Sequence, residues 1–168
     1  MRTLFVIGAA ATELGRAEPL LARGRRIVAL SPATDEALAR AIAAAAGDTV
    51  DLLARHDGAG AGLRVAAHLP ERIGALVLES PPPAESFAAL LPQLALPVLV
   101  LYGTADAHAT DLGRGYKALL PNGWFMMVYA AGRDIARDRP EAYAELVGDF
   151  LNRGVRFTIS EQSSRINP

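Results

Sequence analysis

The chain has 168 residues, 51% of them hydrophobic, a formal net charge of −1 at pH 7 and no cysteine. That length suits one domain with a single core, and the apolar content excludes a disordered chain. The missing cysteine excludes disulfides and thiolate chemistry, and the small net charge, without basic stripe or acidic block, gives no support for nucleic acid or an anionic membrane as partner.

The first apolar run gives a predicted strand at Thr3–Gly8. Glu13 follows so closely that a signal peptide is a poor reading, and no apolar run approaches the roughly 18 residues that span a bilayer. A cytoplasmic protein is expected. A helix is predicted near 12–23, a strand at Arg26–Ser31, and a helix over 34–46, where Thr34-Asp35-Glu36 places acids at the positive end. The strand Thr49–Arg55 leads through a sharp turn to a helix near 58–68 and a strand at Ala75–Ser80. The segment Pro81–Leu96 has room for one or two helical turns. Strands at Val98–Gly103 and Phe125–Ala130 flank a helix near 110–120, and Pro140 opens a last helix near 140–152. Each strand candidate is nearly continuous in apolar residues, as strands buried on both faces are. Such alternation predicts a three-layer α/β/α sandwich around a mostly parallel six-stranded sheet with right-handed crossovers. Residues 1–154 form one domain in this reading. In the remainder, 155–168, Val155–Ser160 alternates like an edge strand and the last residues form a tail.

Four segments carry a resemblance. The turn Ala54-Arg55-His56-Asp57-Gly58 stands where a G-x-S-x-G elbow would stand, and is followed by a small-residue helix ending Pro70-Glu71-Arg72-Ile73. Phe5-Val6-Ile7-Gly8 precedes it. Pro97–Asp106 is a strand ending in G-x-x-D, and Ala131-Gly132-Arg133 precedes Arg139-Pro140-Glu141-Ala142-Tyr143. In this order and spacing the chain resembles the α/β-hydrolase superfamily over nearly its whole length. The likeness implies a small member without the helical cap, beginning at the family's third strand.

The family's triad runs Ser, Asp, His along the chain. Matched from both flanks, His56 stands at the nucleophile, Asp106 at the acid and Arg133 at the histidine; the oxyanion donors would be the backbone N–H groups of Ala9 and Asp57. An arginine stays protonated and cannot act as base, so a salt bridge from Arg133 to Asp106 is expected. With one residue deleted from the turn, Asp57 becomes the nucleophile, as in haloalkane dehalogenases and epoxide hydrolases. That chemistry needs a histidine to clear the ester. His108 is a candidate surrogate base, and His68 a partner for a helix C-terminus. The three histidines have no metal spacing, Gly58–Gly62 is not a phosphate fingerprint, and no cofactor is implied.

The expected function is therefore binding or assembly on a hydrolase fold without turnover, with a weak or atypical hydrolase as the alternative and a structural subunit of a larger complex as a third reading. The strand Arg26–Ser31 would be exposed at a sheet edge, so a homodimer through that edge or the C-terminal strand is expected.

Overall fold

The structure is a computed structural model that describes residues 1–8, 14–30, 34–45, 47 and 49–157. Six strands, β1 (Arg2–Ile7), β2 (Arg25–Leu30), β3 (Val50–Arg55), β4 (Ile73–Glu79), β5 (Val98–Gly103) and β6 (Gly123–Val128), form one sheet in the order β2-β1-β3-β4-β5-β6. Every pairing is parallel. The chain moves outward from β1 to β2, then returns past β1 and continues to β6. The reversal falls between β1 and β3, and the crevice at their carboxyl ends is where open α/β sheets bind ligands.

Side chains alternate between two apolar layers with the period of two that a strand imposes. On one face Phe5, Ile7, Leu52, Ala54, Leu76 and Tyr102 pack against helices α2 (Asp35–Ala44), α3 (Ala59–His68) and α4 (Ala109–Leu119). On the other, Leu4, Val6, Leu53, Val77 and Leu101 meet α1 (Glu18–Leu21), α5 (Ile135–Asp138) and α6 (Pro140–Arg153). The expected three-layer sandwich is present, and its sheet is wholly parallel.

Local chemistry sets the helix ends. The Thr34 side chain accepts from the Ala37 N–H at 3.2 Å, capping α2, and Pro140 occupies the first turn of α6. The helix predicted near 12–23 is shorter: after a 3-10 turn at Gly15–Ala17 only Glu18–Leu21 is α-helical, and Gly24 (φ 79°) ends the segment. The segment between β4 and β5 has two 3-10 turns, Ala84–Phe87 and Leu91–Gln93, and no cap.

The predicted C-terminal strand is corrected in its first half. Gly154–Arg156 forms a 3-10 turn, and Phe157 is buried edge-on against Trp124 and Phe150, with ring centroids 6.2 and 5.4 Å away. Burial of that ring outweighs the strand-like alternation. Thr158–Ser160, like the rest of the tail, lies outside the described residues. Among the described residues no helix is long and apolar enough to cross a membrane.

Candidate functional site

β3 is buried along its length and ends at Arg55; the next residue, His56, has φ 51°. A left-handed conformation costs a residue with a Cβ roughly 1–2 kcal/mol, so the surrounding packing must enforce it. Gly58 shows how. A Cβ there would lie 2.5 Å from the Ile7 carbonyl oxygen, and one at Gly62 would lie 2.8 Å from the Ala54 Cβ. Small residues thus let α3 sit tightly on β1 and β3, forcing the chain through a sharp strand-to-helix joint with His56 at its tip. Asp57, in the 3-10 turn His56–Gly58, is exposed. Ala9 lies outside the described residues.

Arg133 reaches this tip through a second close approach. Gly103 ends β5, and a Cβ on it would lie 2.0 Å from the Ala131 carbonyl oxygen. The missing side chain allows the loop after β6, turned by Ala130 at φ 54°, to pass over the strand end. The loop is held by Ser80 Oγ, which donates to the Arg133 carbonyl at 2.8 Å. From there Arg133 Nε donates to His56 Nδ1 at 3.3 Å.

That contact fixes the imidazole's state. An arginine N–H can only donate, so Nδ1 accepts with its lone pair and the neutral ring carries its proton on Nε2. Burial lowers the His56 pKa. The charge of Glu79 opposes this shift, Arg55 and Arg133 add to it, and Asp134 opposes it. At neutral pH His56 is therefore an N–H donor.

Asp106 is not paired with Arg133, which corrects the expected salt bridge. Its Oδ1 accepts from the backbone N–H of His108 at 2.9 Å, a local loop bond that engages one carboxylate oxygen without the arginine. His108 is exposed and immediately precedes α4, to which it contributes backbone. His68 ends α3, with Nδ1 2.7 Å from the Arg64 carbonyl.

Beneath the joint lies a group that sequence reasoning missed. Glu79, fully buried at the end of β4, accepts from Arg55 Nε at 2.6 Å, from Arg55 Nη2 at 3.2 Å and from Tyr143 Oη at 2.8 Å. The backbone N–H of Ile135 adds a further bond at 2.8 Å. Arg55 Nη2 also meets Asp134 Oδ1 at 2.6 Å. Burial opposes the charge on Arg55, but the Glu79 bonds outweigh it and hold the guanidinium above its ordinary range. The signal was present: Arg55 and Glu79 are charges inside buried strands, and such charges need partners.

His56, Glu79 and Asp134 bring ligand atoms within 4.8 Å of one another, close enough to suggest a metal site. The donor set does not fit. Both Glu79 oxygens and Asp134 Oδ1 already accept from Arg55, which supplies the positive charge a metal would bring.

Beside the joint opens a cleft of about 290 Å³, lined by Ser80, the three prolines Pro81–Pro83, Tyr102, Leu112, Asp106 and Arg133. Its proline wall is braced from below: Tyr102 Oη donates to the Pro81 carbonyl at 2.8 Å and Tyr116 Oη to the Pro82 carbonyl at 2.7 Å.

A parallel sheet whose third strand enters a strained turn into a close-packed helix is the arrangement of an α/β-hydrolase fold, here with six strands among the described residues. Known structures agree. The chain is similar to a predicted CIB-like hydrolase from Thermoplasma acidophilum, with TM-score 0.75 and 14% identity over 89% of this chain and 86% of the other. It is similar to carboxylesterase CesB from Bacillus subtilis, with TM-score 0.74 and 15% identity over 89% and 83%. A thioesterase domain from the curacin biosynthetic pathway matches at TM-score 0.70 and 14% identity, over 86% and 89%. At these identities the likeness establishes the fold alone. No protein-family model matches the chain, and neither does any curated protein.

Proposed function

We propose that this protein uses a hydrolase fold without hydrolytic turnover and acts by binding or assembly. The observation that carries the reading is the Arg133–His56 contact. Acyl transfer on this fold needs a nucleophile at the joint, an imidazole to take its proton and a carboxylate to orient the imidazole. Here the joint presents an N–H donor, the base position holds a permanent cation, and Asp106 is bonded to its own loop.

The Asp57-ester route gains nothing from this arrangement. The strained tip is His56, and no imidazole stands at position 133 to activate water. A panel of activated aryl esters, thioesters, epoxides and fluoroacetate tests the reading. The expected result is no turnover above background and, by mass spectrometry, no adduct on Asp57. Turnover abolished by His56→Ala or Asp106→Asn would overturn it.

A further inference from the structure

Asp106 and Arg133 line the same cleft yet make no ion pair with each other or with any other described residue. Arg133 has only Nε engaged, by the neutral His56, and is exposed. Asp106 uses Oδ1 for a backbone bond. Opposite charges on one small cleft ordinarily close on each other unless their backbones hold them apart. Here Gly103 and the Ala131–Gly132 loop fix one side, and the turn before α4 fixes the other. The rest of the lining is mostly apolar and stiff, with three prolines, Leu112 and the Tyr102 ring beside Ser80.

We propose that this cleft binds a small zwitterion, a molecule carrying a carboxylate and an ammonium group separated by a short apolar spacer. The carboxylate meets the free face of the Arg133 guanidinium, whose geometry suits paired hydrogen bonds to two oxygens. The ammonium meets Asp106, and the spacer lies along the proline wall. A volume of about 290 Å³ stands at the lower end of small-molecule sites and suits a ligand of a few heavy atoms. The proposal rests on the binding reading above and names the ligand class for the same site.

The test is calorimetric titration of the full chain with β-alanine, γ-aminobutyrate and ε-aminocaproate, using butyrate and butylammonium as single-charge probes. One member of the zwitterion series should bind at least about tenfold more tightly than either single-charge probe, as expected if the second charge contributes about 1.4 kcal/mol. Arg133→Gln should weaken that zwitterion and butyrate alike, and Asp106→Asn the zwitterion and butylammonium. Circular dichroism of both variants checks that they fold. Equal affinity for the single-charge probes, no binding in the series, or an Asp106→Asn variant that binds normally would overturn the proposal. Failure here without ester turnover leaves the non-hydrolytic reading intact; ester turnover with zwitterion binding removes that reading and keeps this site.

Discussion

Single residues carry most of the electrostatic stress in this molecule. Asp51 sits on β3 at the end away from the site, fully buried, with Oδ1 3.4 Å from Arg2 Nη1 and Oδ2 lacking a hydrogen-bond partner among the described residues. Burial raises its pKa to about 6, with Arg2 and Arg25 only partly restoring the charged form. The folded pKa exceeds the unfolded one, so the folded chain holds a proton across the interval between them. Its stabilising contribution is full below about pH 4 and lost as pH rises to about 6. Asp51→Asn removes that dependence. Between pH 4 and pH 7 the stability difference should move in favour of the variant by about 2 kcal/mol, read from urea unfolding at each pH. A constant difference between the two proteins would contradict the argument. At this scale the sequence was legible where spacing counts: the segments flanking His56, Asp106 and Arg133 fixed their places along the chain. It was illegible where direction counts. Nothing in the letters shows that Arg133 points at His56 rather than Asp106, because side-chain direction depends on loop backbone that only close glycine approaches determine. Arg55 and Glu79 were passed over for the opposite reason: each is one charge within an otherwise apolar strand, and the partners lie 24 residues apart.

At the level of elements, the strand boundaries followed the apolar runs closely, since a parallel strand buried on both faces leaves little room for polar residues. The helices with clear start signals, α2 with its Thr34 cap and α6 with Pro140 in its first turn, were equally plain. The misreading at Val155–Phe157 arose because a six-residue alternation suits a strand but says nothing of the neighbouring aromatic pair that draws Phe157 inward. The joint between β5 and the loop after β6 supplies a test. Gly103→Ala places a methyl group against backbone that cannot yield like a flexible side chain, so the Ala131–Gly132 loop must move. The expected cost is about 1–3 kcal/mol in urea unfolding, the range for overpacking a close-packed position. The Arg133–His56 contact should loosen as well, detectable as a rise in the His56 pKa by NMR titration, because Arg133 helps depress it. Unchanged stability would show that the close approach is not required.

Across the whole molecule, the strand order and layer arrangement were predictable because alternation of strand and helix permits few topologies. The cleft was not, being formed by segments that meet only after the sheet has closed on both faces. Among the described residues the two edges of the sheet, β2 and β6, each leave a row of backbone donors and acceptors outside the ladder. β2 is the more open of the two in its side chains, with Arg26 and Ala29 exposed. If the assembly proposed above runs through this edge, β2 pairs with its counterpart in a second copy. Sedimentation equilibrium at several concentrations should give masses above the 17.7 kDa of one chain. A monomer mass independent of concentration would remove it.

The left-handed backbone at His56 has a consequence for substitution at this joint. A strained tip without a nucleophile could relax by accepting glycine, yet this chain keeps a bulky side chain there, held by Gly58 and Gly62. The packing of the joint therefore holds the backbone at position 56 in this conformation whatever side chain stands there. With Asp106 on the cleft wall, the chain differs from a serine–aspartate–histidine set at two side chains, positions 56 and 133. Replacing those two alone would not complete such a set, because Asp106 is bonded to its own loop and held apart from position 133.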